Sequence, residues 1–187
     1  MAQLRKASAY SKKKVTPYTR KSKVRTKSYI KTVPPNKIVK YGMGNQQAFN
    51  QGKFPFVLEV TADENVQIRD NALEACRQLV NKQIDKALQG QYFFQIKAHP
   101  HQILRENKLL TGAGSDRMQT GMQHAFGKTI GRAAVLKKGK TIFLLALPNQ
   151  KAMAMGRKAV SLVKAKLPGR TKVKATVPKK VSKLIAE

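Results

Sequence analysis

Residues 99–129 hold all three histidines of the chain, His99, His101 and His124, and also Glu106 and Asp116, the only carboxylates between Asp85 and Glu187. A histidine–carboxylate pair is the minimum equipment for general acid–base cleavage of RNA. Yet Glu106 follows Arg105 and Asp116 precedes Arg117, so local ion pairing accounts for both acids more simply. His99-Pro100-His101 offers two imidazoles but no carboxylate or thiolate set to complete a metal site. Thr111-Gly112-Ala113-Gly114-Ser115 lacks the spacing and the Lys-Ser/Thr ending of a P-loop, and it does not match a dinucleotide fingerprint. No enzyme activity, metal or cofactor is expected. The same stretch is well suited to another task. Gly112, Gly114, Gly121 and Gly127 permit close backbone approach, and Arg105, Lys108, Arg117 and Lys128 place charge along it. A glycine- and arginine-containing loop fits a phosphate backbone, and arginine also stacks on bases.

The charge of the whole chain points the same way. Residues 1–58 contain fourteen Lys and Arg and no acid, and residues 136–187 contain fourteen against Glu187 alone. Residues 59–90 hold six of the nine acids against four bases, a sum of −2, and residues 91–135 carry six bases against two acids, a sum of +4. A net charge of +29 segregated into two flanks opposes compaction and calls for a polyanionic partner. Nucleic acid is favoured over an anionic membrane, because neither flank has a strong apolar helical stripe. The longest clean apolar run, Ile142 to Leu147, is far below the roughly 20 residues of a bilayer span. One cysteine, Cys76, excludes an internal disulfide framework and a Cys-rich zinc site. With no visible secretory signal, a soluble cytoplasmic protein is expected.

The elements that would carry the loop read as α+β: a mostly antiparallel sheet with two helices packed on it, plus basic N- and C-terminal extensions. Residues 1–40 read as a basic arm punctuated by Tyr10, Tyr18 and Tyr29, residues 41–177 as an RNA-binding core that includes the functional loop 99–129, and residues 178–187 as a basic tail. The tyrosines suit either stacking on unpaired bases or packing on the core. Tyr41 to Asn45 reads as a flexible bend and Phe54 to Val60 as a strand. Thr61 and Glu64 offer a capping box for a long helix ending at Gly90, with Ile68, Ala72, Ala75, Cys76, Leu79, Val80, Ile84 and Ala87 on its apolar face. Tyr92 to Ala98 suits the next strand, and Ile130 to Lys137 with Lys140 to Leu147 flank Lys138-Gly139 as a tight hairpin. Asn149 can cap a second helix, with Ala152, Met153, Met155, Ala159, Val160, Leu162 and Val163 apolar, stopped by Pro168-Gly169. Thr171 to Val177 suits a last strand, and a short helix is expected within Asp116 to Phe126.

The run Gly112-Ala113-Gly114-Ser115-Asp116-Arg117-Met118, followed by Gly121-Met122 and Ala125-Phe126-Gly127-Lys128, resembles the large-ribosomal-subunit family called L-sixteen in bacteria, in its archaeal and eukaryotic form L-ten-e. Pro17-Tyr18-Thr19-Arg20, Pro35-Asn36-Lys37-Ile38, Phe54-Pro55, Ala72 to Ala75, His99-Pro100-His101, Arg105-Glu106-Asn107-Lys108 and Lys166-Leu167-Pro168 agree in order, covering roughly residues 15–175. The resemblance implies a structural protein embedded in large-subunit ribosomal RNA near the base of the central protuberance, beside neighbouring ribosomal proteins. It implies a loop directed at the peptidyl-transferase region, which helps to seat transfer RNA, and a late place in subunit assembly. Peptide-bond chemistry would belong to the RNA. His101, Arg105, Lys108, Arg117 and Lys128 are expected to touch RNA on or beside the loop, joined by Arg20, Lys21, Arg25, Lys37 and Arg132. The single cysteine and Lys-rich tail depart from the eukaryotic form and lean archaeal. A non-ribosomal RNA chaperone is the alternative that charge alone allows, and a small nuclease is the rival from the enzyme class.

Overall fold

The computed structural model describes residues 8–11, 24, 26, 30, 32–106 and 127–176. In chain order the elements begin with α1 (Ser8–Ser11), β1 (Gly42–Gly44), α2 (Gln46–Asn50), β2 (Phe56–Ala62), β3 (Val66–Arg69) and α3 (Asp70–Leu88). They continue with β4 (Phe93–Ile96), β5 (Gln102–Glu106), β6 (Lys128–Leu136), β7 (Thr141–Leu147), α4 (Gln150–Val163) and β8 (Thr171–Thr176). Every strand pair is antiparallel, in a five-stranded sheet of order β1-β4-β7-β2-β8 and a three-stranded sheet of order β3-β6-β5. The α+β expectation holds, with the sheet divided in two.

Register explains the core. Leu58 pairs with Leu145, Val60 with Phe143 and Phe94 with Leu145, so these side chains share one face of the large sheet. Helices α3 and α4 cover that face with Leu73, Cys76, Val80, Ile84, Ala152, Met153, Ala159, Val160 and Val163. Gly156 is where α4 comes closest: a Cβ there would lie 2.7 Å from Leu147 Cδ1. The opposite face carries a small cluster of Ala48, Phe54, Phe93 and Ala146 under α2. Cys76 is fully buried, and burial pushes its thiol up to about 12, which leaves it an inert apolar filler.

Several local expectations are corrected. Thr61 and Glu64 do not cap the long helix, because β2 continues through Ala62 alongside β8 and Thr61 Oγ1 donates to the Lys172 carbonyl at 3.3 Å. The chain then turns, makes β3, and α3 starts at Asp70, with Ile68 buried as a strand residue and Leu73 joining the helix's buried face. The helix ends through Gln89 and Gly90, both at positive φ. Lys138-Gly139 does not close a hairpin: β6 and β7 belong to different sheets. Gly139 N–H donates to the Ala62 carbonyl and Ala62 N–H to Lys140, so β2 captures the turn and passes the chain between sheets. The bend at Tyr41 to Asn45 is strand β1, held on β4 by Ile96 N–H to Tyr41 and Asn45 N–H to Tyr92. Asn149 occupies the N-cap of α4 with no side-chain cap bond, and Met155 and Leu162 face outward on that helix.

Candidate nucleic-acid interface

Residues 102–106 of the stretch read as loop are a strand. β5 pairs with β6, with Arg105 opposite Thr129 and Glu106 opposite Lys128 after a register shift at Leu104/Arg105. The segment 107–126 therefore joins the ends of an antiparallel pair, and Arg105 and Lys128 stand at its base. Lys128 and His101 are exposed, and Arg105 is half-buried. Lys108, Arg117 and the helix expected within Asp116 to Phe126 lie outside the described residues, as do Arg20, Lys21, Arg25, His124, Val177 and the tail 178–187.

What holds that base in place is the arm. Gln67, Gln102 and Ala133 share one face of the small sheet by register. Tyr10 of α1 lies there: its carbonyl accepts from Gln67 Nε2 at 2.8 Å, and its ring lies 5.3 Å from the Arg69 guanidinium. Its hydroxyl reaches Glu106 Oε2 at 3.1 Å, at the very end of β5. Arg132 alternates to the other face, and its Nε donates to the Pro34 carbonyl at 2.8 Å, while Thr129 Oγ1 donates to the Thr32 carbonyl at 3.0 Å. The arm thus grips the loop-bearing strands from both faces.

From Pro34 the chain runs as a strap along α3. Asp70, 3% exposed, accepts from the Lys37 backbone N–H at 3.2 Å and from Asn71 N–H at 2.8 Å. One turn later Glu74 accepts from Val39 N–H at 3.4 Å, from Gln78 Nε2 at 3.1 Å and from Arg77 in a two-pronged pair of 2.6 and 2.8 Å. The Arg77 hydrogen bond, opposed by burial and helped by Gln78, holds the Glu74 carboxyl below its ordinary range, and the same bond raises Arg77. Lys37 thereby presents its ammonium outward from a pinned backbone.

Five of the six acids of the balanced middle, Asp63, Glu64, Asp70, Glu74 and Asp85, hold the molecule together. Asp63 pairs with Lys172 at 2.9 Å, and Glu64 accepts from the Arg170 backbone N–H at 3.3 Å. Asp85 accepts from the Tyr92 hydroxyl, whose pKa is pushed up to about 12, first by burial and then by Asp85 itself. Glu106 is engaged by Tyr10. Among the described residues no three His, Cys, Asp or Glu converge. No helix of the described residues is long and apolar enough to cross a membrane. The exposed cations Lys37, Lys40, Lys97 and Lys128 take part in none of the ion pairs among the described residues.

This geometry is a scaffold for presenting positive charge, and the comparisons say whose. The family described as ribosomal protein L16p/L10e matches residues 13–174. The chain belongs to that family. It is 38% identical over 181 residues to the large ribosomal subunit protein uL16 of Methanococcus maripaludis, covering 96% of this chain and 98% of that one. Against uL16 of Staphylothermus marinus it is 40% identical over 166 residues, 88% and 89% of the two chains. Against uL16 of Hyperthermus butylicus it is 45% identical over 127 residues, 67% of this chain and 65% of that relative. The chain is a structural constituent of the large ribosomal subunit rather than an enzyme, its setting ribosomal RNA and other ribosomal proteins. Membership selects this reading over the RNA chaperone and the nuclease, and the archaeal leaning agrees with these relatives.

The residues that sequence reasoning missed are those that hold rather than bind. Asp70 and Glu74 stand at i, i+4 spacing beside buried Leu73, which was the available signal for their holding role. The stacking of three rings was not read from the sequence either. Tyr41 stacks on His99 with centroids 4.7 Å apart and planes at 25°, and His99 faces His101 at 6.0 Å and 23°.

Proposed function

We propose that the chain grips large-subunit ribosomal RNA through Lys37, His101, Arg105, Lys128 and the arm residues Arg20, Lys21 and Arg25, and that segment 107–126, with Lys108 and Arg117, reaches the bound transfer RNA. Arg132 holds Pro34 through Nε and turns its terminal nitrogens to a phosphate. Residues 1–40 act as the arm, 41–177 as the core and 178–187 as a basic tail in this reading, which places the loop beside the peptidyl-transferase region. The observation that carries it is the base of the loop: Arg105 and Lys128 are raised on a strand pair that the arm braces from both faces. A brace of that kind fits a loop that must keep its aim.

The experiment is the double substitution Arg105→Ala, Lys108→Ala in cells that depend on this chain. Unaltered thermal unfolding of the purified variant, with fewer joined subunits and weaker transfer-RNA binding, is the expected outcome. Normal subunit profiles and normal transfer-RNA binding refute the loop's role. In vitro, neutralising about 10 phosphates makes affinity for ribosomal RNA fall by on the order of 10³–10⁵ between about 50 and 200 mM salt. A nearly flat salt response contradicts the phosphate-contact reading.

A further inference from the structure

The Tyr41–His99–His101 ladder runs outward from the core, with Tyr41 half-buried against it. His99 and His101 are exposed, while Pro100 between them is buried. The buried proline, with its fixed φ, anchors an extended step that sends both imidazoles to the same side. Tyr41 is the fixed end: its hydroxyl accepts from Asn36 Nδ2 at 2.7 Å, and its carbonyl accepts from Ile96 N–H. The ring separations of 4.7 and 6.0 Å fall within the usual span of offset aromatic pairs. Among the described residues, the only side-chain partner of His101 is the His99 ring, and no protein hydrogen bond uses an imidazole nitrogen of either histidine. Exposed aromatic rings occur singly on most proteins, but three in register form a surface. The β4–β5 connection and the strap carrying it also bear Lys97, Lys37 and Lys40, exposed and outside every ion pair among the described residues.

We infer that Tyr41, His99 and His101 form a stacking platform for one unpaired nucleobase, which extends the ladder on His101 while the neighbouring lysines hold its phosphates. This rests on the RNA-binding reading above and adds a base-contacting site at the root of β5. Aromatic stacking tolerates any base, because every base has a π face. The platform is a different device from the loop. It fixes the chain on single-stranded RNA by ring contact, whereas Arg105 and Lys128 act by charge.

The test uses the full chain with two probes, oligoadenylate and inorganic polyphosphate, each titrated at several salt concentrations between about 50 and 200 mM. His101→Ala should weaken oligoadenylate binding on the order of tenfold, leave its salt dependence unchanged, and leave polyphosphate binding intact. His101→Phe should restore binding, and Tyr41→Leu should weaken it again, with unfolding curves run on each variant. Because His101 is the exposed end of the ladder, its variant remains informative even if Tyr41→Leu disturbs the strap. Equal affinity of His101→Ala and parent for oligoadenylate overturns the platform. So does an equal loss on polyphosphate, which would make His101 a charge contact. Failure of the parent to bind either probe would instead overturn the RNA-binding reading beneath it.

Discussion

Asp70 is the test of whether the arm is a folded part of the protein. Its carboxylate is nearly sealed from solvent and accepts from two backbone N–H groups, Asn71 at 2.8 Å and Lys37 at 3.2 Å. The first secures the start of α3 and the second pins the strap. Hydrogen bonds to a charged acceptor contribute about 1.5–3 kcal/mol each, and the longer Lys37 bond belongs at the low end. A carboxylate in the first helical turn adds about 0.3–1 kcal/mol against the helix dipole. Water replaces part of what is lost, so Asp70→Ala should destabilise by about 3 kcal/mol. For a chain of 187 residues that lowers the midpoint by roughly 6–12 °C.

Two assays separate the contributions. Thermal unfolding followed by circular dichroism reads the total. Amide hydrogen exchange at Lys37 and Val39 reads the strap, and a local loss of about 2 kcal/mol speeds exchange there roughly thirtyfold. Asp70→Asn keeps the shape and one acceptor and should fall between the parent and Asp70→Ala. A midpoint within about 2 °C of the parent, together with unchanged Lys37 exchange in Asp70→Ala, refutes the reasoning.

Three further predictions follow from single contacts. Glu74 titrates below its ordinary 4.5 because of Arg77, so its contribution is complete above about pH 4.5 and disappears as pH falls through the lower folded value; pH-dependent urea unfolding should show this step, and Glu74→Gln should remove it. Gly44 and Gly52 both have positive φ, but a Cβ at Gly44 would strike the Tyr92 carbonyl while Gly52 faces open space; Gly52→Ala should cost about 1–2 kcal/mol and Gly44→Ala about 3 or more, with equal losses in urea unfolding counting against the close approach. Gly156→Ala gains up to about 1 kcal/mol in helix propensity but meets Leu147, Leu58 and Leu145, so overpacking of about 1–3 kcal/mol should lower its thermal midpoint, and a higher midpoint would show slack in the core.

The parts of the fold legible in the sequence are those with one-sided burial. The period of α3 was readable because Cys76, Val80 and Ile84 face one core. β8 was readable because Val173 alternates with Lys172 and Lys174. β3 and β5 were not, for a physical reason. Both faces of the small sheet are covered, one by the core and one by the arm, so Gln67 and Gln102 are buried where alternation would place solvent. A buried glutamine in a four- or five-residue strand leaves no periodic trace. The β6–β7 turn misled because Lys138-Gly139 satisfies local hairpin chemistry, while the deciding hydrogen bonds come from Ala62, more than seventy residues away in sequence. The stretch 99–129 stands out by composition, but the brace at its root does not, since Tyr10 and Glu106 are separated by 96 positions.

The uneven placement of charge then acquires a structural meaning. A chain of +29 must keep its carboxylates where they resist self-repulsion best, and Asp70, Glu74 and Glu106 all lie where the arm meets the core. Asp70 and Glu74 bind backbone N–H groups of the strap rather than its lysine side chains, so the strap is secured without neutralising Lys37 or Lys40. Had the same acids paired with those ammonium groups, the arm would be held equally well but would offer less charge to a polyanion. Anchoring by main chain and presenting by side chain is the arrangement that serves both demands. The same strap joins Lys37 to Pro34 and Thr32, whose carbonyls end on Arg132 and Thr129 of the loop-bearing strand.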